Sequence, residues 1–371
     1  MRTTTILAGI AILAGFVATG AMMAKAATDE ATAADFQRFC MAKFEKADKA
    51  NKSYVEGKDG WMFLTNGLRN VGVGKFWGDD AVKVSRAAKK KWADPIVGIM
   101  DFKEQLDKLG IELILMPVPP KAVVYPDMIC EQLKADAKTR AVPRRDTNHQ
   151  EFYKLLRGKG VNVLDLTDQF IAARKDAQED TPLYCKTDSH WSPRACEIAA
   201  VAIRKQLDGR KWLPASKDSP FAARNDTVEF TGDLEKIARG DTGNKDKLAA
   251  RMITVSGNDA KVTDTVDSSS PVILMGDSHC LVFHAGGDML ASGCGLADQL
   301  AMELKTGIDL IGVKGSGARP ARRNLMENAR DEKYLGGKKL VIWCLAAREF
   351  TEAQGWGKVP IARRPKSAGS K

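Results

Sequence analysis

The order of apolar and polar residues along the chain predicts a repeated unit in which a helix precedes a strand. A helical pattern over residues 82–109 stops at Gly110, and the apolar run IELILMPV begins at Ile111. Such an uninterrupted run is typical of a strand that is buried on both faces. Further predicted helices cover residues 150–156, 194–207, 296–304 and 320–329, and further predicted strands cover residues 161–166, 271–275, 308–313 and 339–343.

This alternation predicts an α/β domain with a mostly parallel central sheet that helices cover on both faces. Ahead of the repeated units, residues 31–50 have a helical pattern. The segment YVEGKDGWMFL, residues 54–64, has aromatic residues on both sides of a Lys-Asp-Gly turn. It predicts a hairpin at the entrance to the domain.

Two segments depart from this rhythm. Residues 208–267 are polar, rich in Asp, Lys and Gly, and without a strong period, so we interpret them as an insertion that is either a substrate lid or a surface elaboration. Residues 353–371 are rich in Gly, Pro, Lys and Arg and are predicted to form a flexible basic tail. The folded domain is therefore predicted to span residues 27–352.

The first 26 residues are predicted to direct export of the chain. Residues 6–24 form an almost uncharged apolar stretch behind Arg2, and Ala24-Lys25-Ala26 offers small residues where a signal peptidase cuts. The stretch is close to the roughly 20 residues that span a bilayer, so an uncleaved N-terminal anchor is the alternative to a cleaved signal peptide. Both alternatives predict a periplasmic location for the folded domain.

The net charge of +10 suits an anionic partner. Removal of residues 1–26 takes away only two basic residues and leaves a net charge of +8. The visible basic clusters are residues 89–91, the set Arg319, Arg322 and Arg323, and the tail residues Arg363, Arg364 and Lys366. Nucleic acid is not expected as a partner, because the predicted location is outside the cytoplasm and no recognition motif is present.

Seven cysteines would lie in an oxidising compartment after export, where disulfides persist. Because the number is odd, at least one thiol is left unpaired. None of the cysteines has the spacing of a metal site, and Cys280 and Cys344 have the apolar surroundings of buried thiols. The spacings do not determine a pairing.

The segment PVILMGDSHC places Ser278 directly after an apolar strand that ends at Gly276. Ligands of open α/β sheets bind at the carboxyl ends of the strands, and a serine on a tight glycine turn there is exposed for attack. Ser278 is therefore a candidate nucleophile. Serine and glycine also form ordinary turns, and this alternative stays open on the segment alone.

Asp188 and His190, in the segment YCKTDSHWSP, are the partners that a nucleophilic serine needs. In extended backbone their side chains leave the same face of the chain, because they are two residues apart. The alternative is that Asp188 caps the helix that opens near Pro193 and that His190 is a surface histidine. Since the chain has only four histidines, a catalytic triad of Ser278, His190 and Asp188 is the more economical interpretation.

Gly315, Ser316 and Gly317 form a candidate oxyanion loop. They follow the predicted strand 308–313 and lead to a helix at Pro320, so their backbone amides could point into the same crevice. An ordinary turn between a strand and a helix explains the glycines nearly as well.

Three further residues were considered for the site. Arg348 is a candidate for contact with substrate, and the alternative is that it stabilises the final loop of the domain. His279 and His284 lie near the candidate nucleophile, but they lack the paired carboxylate spacing typical of a zinc site. No metal ion and no other cofactor is predicted.

Five short segments have the order and composition of motifs from one known family. KDGWMFL at 58–64 is similar to its entry motif, and MPVPPKAVVYPD at 116–127 to its early strand and loop. Asp-Ser-His-Trp at 188–191 is similar to its base motif and Gly-Asp-Ser at 276–278 to its nucleophile motif. VIWCLAAREFTE at 341–352 is similar to its last strand and following loop. In this order the segments resemble the alginate O-acetyltransferase AlgX/AlgJ family.

The resemblance implies an SGNH-hydrolase-like domain that transfers acetyl groups to an exported anionic polysaccharide, alginate or a similar one. It implies that Ser278 is the nucleophile, that His190 is its base and that Asp188 orients His190. It also implies a membrane-bound O-acetyltransferase as the acetyl donor. Ser189 stands where the family often has His or Thr, and a short basic tail follows Glu352 where AlgX has a carbohydrate-binding module. The identity of the polysaccharide is therefore left open.

Two alternative functions are compatible with the same residues. A periplasmic carbohydrate acetylesterase would use the same triad and give the acetyl group to water. A non-catalytic scaffold that binds polysaccharide would keep the fold without turnover. The triad residues by themselves do not separate these alternatives from acetyl transfer.

Overall fold

The computed structural model describes residues 33–214, 218–241 and 243–361, with backbone only for residues 259–261, and has a five-stranded parallel sheet at its centre. The order of the strands across the sheet is β4-β3-β10-β8-β9. Their bounds are β3 Glu112–Val118, β4 Asn162–Val163, β8 Val272–Gly276, β9 Asp309–Gly312 and β10 Leu340–Ala346. The predicted α/β class with a mostly parallel central sheet is confirmed.

Twelve helices of the described ranges surround this sheet. They are α1 33–49, α2 Thr65–Gly72, α3 Ala81–Val84, α4 Pro95–Lys108, α5 Lys121–Val124, α6 Thr147–Gly158, α7 Thr167–Ala173, α8 Pro193–Gln206, α9 Asp233–Arg239, α10 Leu296–Leu304, α11 Arg319–Asn328 and α12 Glu349–Glu352. No helix within these ranges is both long enough and apolar enough to cross a membrane.

Residues of the central strands alternate between two hydrophobic cores, one on each face of the sheet. In β10, Ile342 and Cys344 belong to one core, whereas Val341 and Trp343 belong to the other. Residues of α8 and α10 complete the first core, and residues of α4, α6 and α11 complete the second. Because both faces are covered, apolar residues occupy nearly every position of β3, β8 and β10, which is why the sequence shows runs rather than alternation.

The predicted insertion, residues 208–267, contains a second sheet. Its strands are β5 Phe221–Phe230, β6 Asp246–Val255 and β7 Asn258–Val262, which pair antiparallel in that order. Leu248, Ala250 and Met252 on one face of β6 are buried in the first core. The second sheet therefore packs against the central domain along one face.

The predicted entrance hairpin is present. It consists of β1 Tyr54–Glu56 and β2 Met62–Leu64, which pair antiparallel on either side of the turn Lys58–Gly60. Phe63 of β2 is buried in the first core. The hairpin and α1, which packs beside it through Phe36 and Phe44, are thus attached to the central domain.

The predicted helix over residues 82–109 is wrong in its first half. The helix begins at Pro95, where Asp94 accepts a hydrogen bond of 3.0 Å from the amide of Ile96. Proline is favoured in the first turn because its missing N–H would have no partner there, and Asp94 satisfies one of the free amides. The strand predicted over residues 161–166 is reduced to β4, which is two residues long.

The predicted boundary at Glu352 also differs from the structure. Residues beyond it continue to pack against the second core, since Trp356, Val359 and Ile361 are buried. The amide of Trp356 donates to the carbonyl oxygen of Trp92, and the amide of Ile361 donates to Gln105. The remainder of the predicted tail, residues 362–371, and the predicted signal peptide, residues 1–26, lie outside the described residues.

All seven cysteines lie within the described ranges and are buried free thiols. Cys280 and Cys344 have the buried environment that their apolar neighbours predict. Burial raises the pKa of the Cys196 and Cys344 thiols well above their usual range, so these sulfurs remain protonated and pack as small apolar groups.

Candidate active site

Ser278 begins a short 3-10 turn, Ser278–Cys280, directly after β8. Gly276 ends that strand beside the neighbouring strand β10. A Cβ atom on Gly276 would lie 1.5 Å from the carbonyl oxygen of Cys344, so only glycine allows the two strands to pair here. The hydroxyl-bearing residue is thereby placed at the carboxyl edge of the parallel sheet, where the sequence predicted it.

Asp277 holds the nucleophile turn in place. Its Oδ1 accepts a hydrogen bond of 2.9 Å from the amide of His279, which caps the turn. Its Oδ2 accepts a hydrogen bond of 2.6 Å from the amide of Ala346 at the end of β10. The side chain of Asp277 is completely buried. This one carboxylate therefore links the turn that follows β8 to the end of the adjacent strand β10.

The structure brings Ser278, His190 and Asp188 into one continuous hydrogen-bonded chain. The Oγ of Ser278 lies 2.7 Å from Nε2 of His190, although the two residues are 88 positions apart in sequence. The Nδ1 of His190 lies 2.7 Å from Oδ1 of Asp188. Both distances are those of good hydrogen bonds, and the order of the groups is that of a nucleophile, a base and an orienting carboxylate.

Asp188 is held from its other side by a residue of the predicted insertion. The amide of Asp233, at the start of α9, donates a hydrogen bond of 2.7 Å to Oδ2 of Asp188. The Asp233 carboxylate in turn accepts hydrogen bonds of 2.7 Å and 2.5 Å from the amide and hydroxyl of Ser189. Part of the predicted insertion therefore positions the orienting carboxylate.

Lys121 fixes the loop that precedes His190. Its buried ammonium lies within 2.6 to 3.1 Å of four backbone carbonyl oxygens, those of Met62, Cys185, Lys186 and Asp188. Three of these carbonyls belong to the loop and one belongs to the hairpin. Lys121 thus joins the entrance hairpin to the Asp188 loop, and its charge is shared among carbonyl dipoles rather than neutralised by a carboxylate.

The charges and hydrogen bonds around His190 favour its action as a base. Burial alone would raise the pKa of Asp188, but the charge and hydrogen bonds of His190, together with the Asp233 amide, lower that pKa well below its usual range. Burial disfavours charge on His190, but Asp188 outweighs this effect and raises the pKa of His190. An ionised Asp188 holds the proton on Nδ1, which leaves Nε2 free to accept the proton of Ser278.

The structure places the candidate oxyanion loop against the turn that carries Ser278. A Cβ atom on Gly317 would lie 2.4 Å from the amide nitrogen of Asp277, so the loop is in contact with the backbone of the turn. The carbonyl of Gly317 accepts a hydrogen bond from Trp343, and the hydroxyl of Ser316 donates to Glu349. The loop therefore packs against the turn, and its role in binding an oxyanion stays a prediction.

A small cavity lies at the same edge of the sheet. Its lining includes Ser189 and His279, which neighbour the triad residues in sequence, together with Pro119, Tyr184 and Arg348, but none of the triad residues themselves. The predicted substrate residue Arg348 is half-buried there. Its positive charge contributes to the lowered pKa of Asp277, and no carboxylate of the described ranges forms an ion pair with it. The guanidinium is thus available to an anion that enters this cavity.

The other histidines have partners of their own. Nδ1 of His279 lies 2.9 Å from Asp277, and Nδ1 of His284 lies 2.9 Å from Asp298. Each of these histidines therefore has one carboxylate partner. His149 is a buried residue of α6, and its Nε2 lies 2.9 Å from the side chain of Asn70.

The donor atoms of Asp188, His190 and Asp233 lie within 4.8 Å of one another, which is close enough for a metal site. Each of these atoms is already engaged in the hydrogen bonds described above. A cation bound there would displace the proton on His190 Nδ1 and the hydrogen bonds of Ser189. The arrangement therefore fits a hydrogen-bonded triad better than a metal centre.

Sequence reasoning did not identify Lys121, Asp233 or the pairing of Asp277 with His279. A signal existed for Lys121, because it is a lone lysine inside the apolar segment MPVPPKAVV. A signal also existed for Asp277 and His279, whose spacing is the same as that of Asp188 and His190. Asp233 lies in a polar segment without any local pattern, so only the tertiary structure could reveal its contact.

Comparison with solved structures identifies the same fold in known proteins. The O-acetyltransferase domain of Pseudomonas putida AlgJ superimposes with a TM-score of 0.56 and 20% sequence identity, covering 81% of this chain and 92% of that domain. Pseudomonas aeruginosa AlgX superimposes with a TM-score of 0.54 and 16% identity, covering 81% of this chain and 66% of that protein. These similarities show the fold.

Comparison of sequences agrees with the structural result. A probable alginate O-acetylase AlgJ from Pseudomonas putida is 23% identical over 245 residues, which cover 64% of this chain and 57% of that protein. The chain spans about half the length of the curated relatives it matches. The model of the family described as SGNH hydrolase-like domain, acetyltransferase AlgX, matches residues 54–347. The chain belongs to this family of SGNH hydrolase-like acetyltransferase domains.

Proposed function

We propose that this protein transfers acetyl groups to the hydroxyls of an exported polysaccharide through an acetyl-Ser278 intermediate. The observation that carries the proposal is the hydrogen-bonded chain from Asp188 through His190 to Ser278, with 2.7 Å at both steps. These hydrogen-bonded side chains lie at the carboxyl edge of the sheet, and the protein is a member of an acetyltransferase family. The arrangement is that of an activated serine nucleophile.

In the first half of the reaction, His190 accepts the proton of Ser278 while Oγ attacks the carbonyl carbon of an acetyl donor. The imidazolium that forms is stabilised by the ionised, buried carboxylate of Asp188. When the donor leaves, His190 returns the proton to the leaving group. The acetyl group is then bound to Ser278 as an ester.

The oxyanion of this step needs donors on the side of the serine away from His190. The amide of Ser278 is a candidate, since it donates to no acceptor within the described ranges and begins the 3-10 turn. The guanidinium of Arg348, whose charge acts on Asp277 and His190, is a second candidate. These two groups join the loop residues Gly315, Ser316 and Gly317 as candidates for stabilising the oxyanion.

In the second half, a hydroxyl of the polysaccharide gives its proton to His190 and attacks the acetyl carbon. The basic net charge and the unpaired guanidinium of Arg348 favour an anionic acceptor, such as alginate or another polymer of uronic acids. The proposal includes a periplasmic location and a membrane-bound O-acetyltransferase as the source of acetyl groups. The apolar segment at residues 6–24 supports export, and the family of the chain supports an acetyl donor outside the cytoplasm.

The experiment is mass spectrometry of the purified protein after incubation with a chromogenic acetyl ester and then with candidate oligosaccharides. Wild-type protein is expected to gain one acetyl group on Ser278 and to pass it to one class of sugar. Ser278→Ala is expected to gain none at the site. Ser189→Ala is the matched control, because Ser189 has the same Asp and His neighbours in sequence but its hydroxyl donates to Asp233 and has no contact with Nε2 of His190.

Two results would contradict the proposal in different ways. If acetate is released and added oligosaccharide does not change the rate of release, the protein is an esterase that uses the same triad. If Ser278 carries no acetyl adduct with the donor ester, and none with detergent-solubilised membrane protein as donor, then Ser278 is not the nucleophile. That result would favour a binding role.

A further inference from the structure

Two basic clusters of the sequence, residues 89–91 and the cluster that begins at Arg319, come together in the structure around one aromatic ring. The ammonium of Lys89 lies 5.0 Å from the centroid of the Trp92 ring, and the ammonium of Lys91 lies 6.0 Å from it. The guanidinium of Arg319, at the start of α11, lies 4.8 Å from the same centroid. Cations are attracted to an aromatic ring by its quadrupole. We call these four residues the Trp92 patch.

The three cations of the Trp92 patch have no counter-charge from the protein. Any two of them lie within about 11 Å of each other, a separation comparable to the screening length of physiological salt, so their fields add. No carboxylate of the ranges that the structure describes forms an ion pair with them. Asp94, the acidic residue nearest to Trp92 in sequence, caps α4 instead. Like charges that repel one another and lack a counter-charge favour the binding of an anion.

The Trp92 patch lies at the carboxyl edge of the sheet. Its two lysines are exposed, and its ring and guanidinium are half-buried. The amide of Trp356, beyond the end of β10, donates to the carbonyl oxygen of Trp92. Arg319 is two residues after Gly317, which contacts the backbone of the turn that carries Ser278. These links place the α-carbon of Arg319 within roughly 16 Å of that of Ser278. A polymer of several sugars can span this distance.

Arg322 belongs to the same sequence cluster as Arg319 but has a different role in the fold. Its buried guanidinium donates to the carbonyl oxygens of Gly98, Ala318 and Gly357. The Nε of Arg319, in contrast, has no hydrogen-bond partner among the described residues. Arg322 therefore stabilises the folded chain, whereas Arg319 keeps its donors for a partner outside it.

Trp92 holds the three cations together before a ligand binds. A Cβ atom on Gly355 would lie 2.9 Å from Cβ of Trp92, and one on Gly357 would lie 3.0 Å from its Nε1. The indole is therefore packed against the last described segment of the chain. Long basic side chains that already contact a fixed ring lose less conformational freedom when they bind an anion.

We propose that the Trp92 patch binds carboxylates of the acceptor polysaccharide, on sugars beyond the one that receives the acetyl group. The inference rests on the acetyl transfer proposed above and assigns a binding surface to its acceptor. A polymer of uronic acids has a carboxylate on every sugar, so one strand presents several anions to the three cations at once. Water and salt weaken each exposed contact, but the contacts of a single strand reinforce one another. The patch thus keeps the polymer near Ser278 while successive sugars react.

The test removes the three charges of the patch and measures the binding of a long oligomer of uronic acid. The patch variant carries Lys89→Gln, Lys91→Gln and Arg319→Gln. Isothermal titration calorimetry measures its affinity for the oligomer at low and at physiological salt. The patch variant is expected to bind on the order of tenfold more weakly than the wild type, and added salt should reduce the difference.

A control variant removes the same charge from the opposite edge of the sheet. It carries Lys205→Gln, Lys211→Gln and Lys339→Gln, which replace exposed lysines without an ion pair in the described part of the chain. Lys339 directly precedes β10, Lys205 is in the last turn of α8, and the residue before Lys211 pairs with Glu112 at the start of β3. Because the two variants have the same net charge, a difference between them reports the position of the charges. The control should bind nearly as tightly as the wild type.

Acetyl transfer to acceptors of different length separates binding at the patch from damage to the fold. Only a long oligomer has further carboxylates for the patch once one of its sugars has reached Ser278. The ratio of kcat/KM for the oligomer to kcat/KM for a uronate monosaccharide is therefore expected to fall in the patch variant and to be kept in the control variant. A partly unfolded variant would lose both activities and keep the ratio.

The outcomes separate this inference from the proposed function. If Ser278 is acetylated and the patch variant binds the oligomer as the wild type does, the role of the patch is wrong and the proposed function stands. If Ser278 is never acetylated and the patch variant alone loses affinity, the proposed function is wrong and the patch still binds the polymer. If the wild type binds vesicles that contain phosphatidylglycerol and does not bind the oligomer, the patch docks to a membrane and the inference is overturned.

Discussion

The chain contains two Asp-Ser-His segments, at 188–190 and 277–279, and their local geometry is the same. In each, one aspartate oxygen accepts from both the amide and Nδ1 of the histidine two residues later. The two segments differ in the groups that their serine and histidine side chains contact. His190 of the first segment meets Ser278 of the second, whereas Ser189 of the first bonds to Asp233.

The difference between the two segments comes from the part of the fold that holds each of them. The second segment follows a buried strand and is anchored by Asp277 to the neighbouring strand β10, so its serine lies on a rigid turn at the sheet edge. The first segment lies on a loop that Lys121 and Asp233 hold in place. Identical tripeptides therefore supply the proposed base in one case and the proposed nucleophile in the other, because tertiary contacts decide which groups face each other.

The largest expected effect separates the two serines. Ser278→Ala removes the proposed nucleophile and should lower acetyl-ester turnover by on the order of 10⁴-fold or more. Ser189→Ala removes one hydrogen bond to Asp233 and should have a much smaller effect, with a loss of about 1 kcal/mol in the free energy of unfolding. Steady-state kinetics and urea unfolding measure both. Similar losses of turnover in the two variants would contradict the assignment of the nucleophile.

The next effect separates the two aspartates. Asp188→Asn allows the wrong tautomer of His190 and should reduce turnover by roughly 10² to 10⁴-fold. Asp277→Asn leaves Asp188 and His190 in place and should reduce turnover much less. In each variant an amide NH2 group would face backbone donors that the buried carboxylate now accepts from, so both should lose about 1 to 3 kcal/mol in the free energy of unfolding. Turnover of the folded protein and urea unfolding measure both effects, and equal losses of turnover in the two variants would count against this contrast.

The pH dependence separates the two histidines. The pKa of His190 is raised, and only its neutral form is a base, so turnover should be lost as pH falls through a value above the usual 6.5 or so of histidine. His279 has a pKa of about 4, so it should not contribute to this inflection. In the residual activity of Asp188→Asn, the inflection should move to lower pH. A pH-rate profile with no inflection above pH 6 would argue against His190 as the base.

A smaller effect tests how the first segment is held. Lys121→Met removes the ammonium that bonds to four carbonyls and should lower the free energy of unfolding by about 1 to 3 kcal/mol, with reduced turnover. Lys186→Met is the control, since the Lys186 ammonium makes none of these contacts, and it should stay within about 0.5 kcal/mol of wild type. Two variants of equal stability would show that the loop does not depend on Lys121.

The sequence predicted the features that depend on local composition. Runs such as IELILMPV predicted strands buried on both faces, and the parallel sheet confirms the class of fold. The order of the motifs, with Asp188 and His190 ahead of Gly276 and Ser278, indicated a family that the comparisons confirm. Helix limits near Pro95 were missed because a pattern of apolar residues does not reveal a cap.

By itself, the sequence determined that the chain folds as an α/β domain of this family and that Ser278, His190 and Asp188 are its candidate triad. Only the tertiary structure decided that Lys121 and Asp233 hold the Asp188 loop, that Gly317 packs against the turn that carries Ser278, and that Asp277 joins this turn to the end of β10. The physical reason is that strand and turn preferences act between near neighbours, whereas each of these contacts joins segments far apart in the chain and forms only when the whole sheet is assembled.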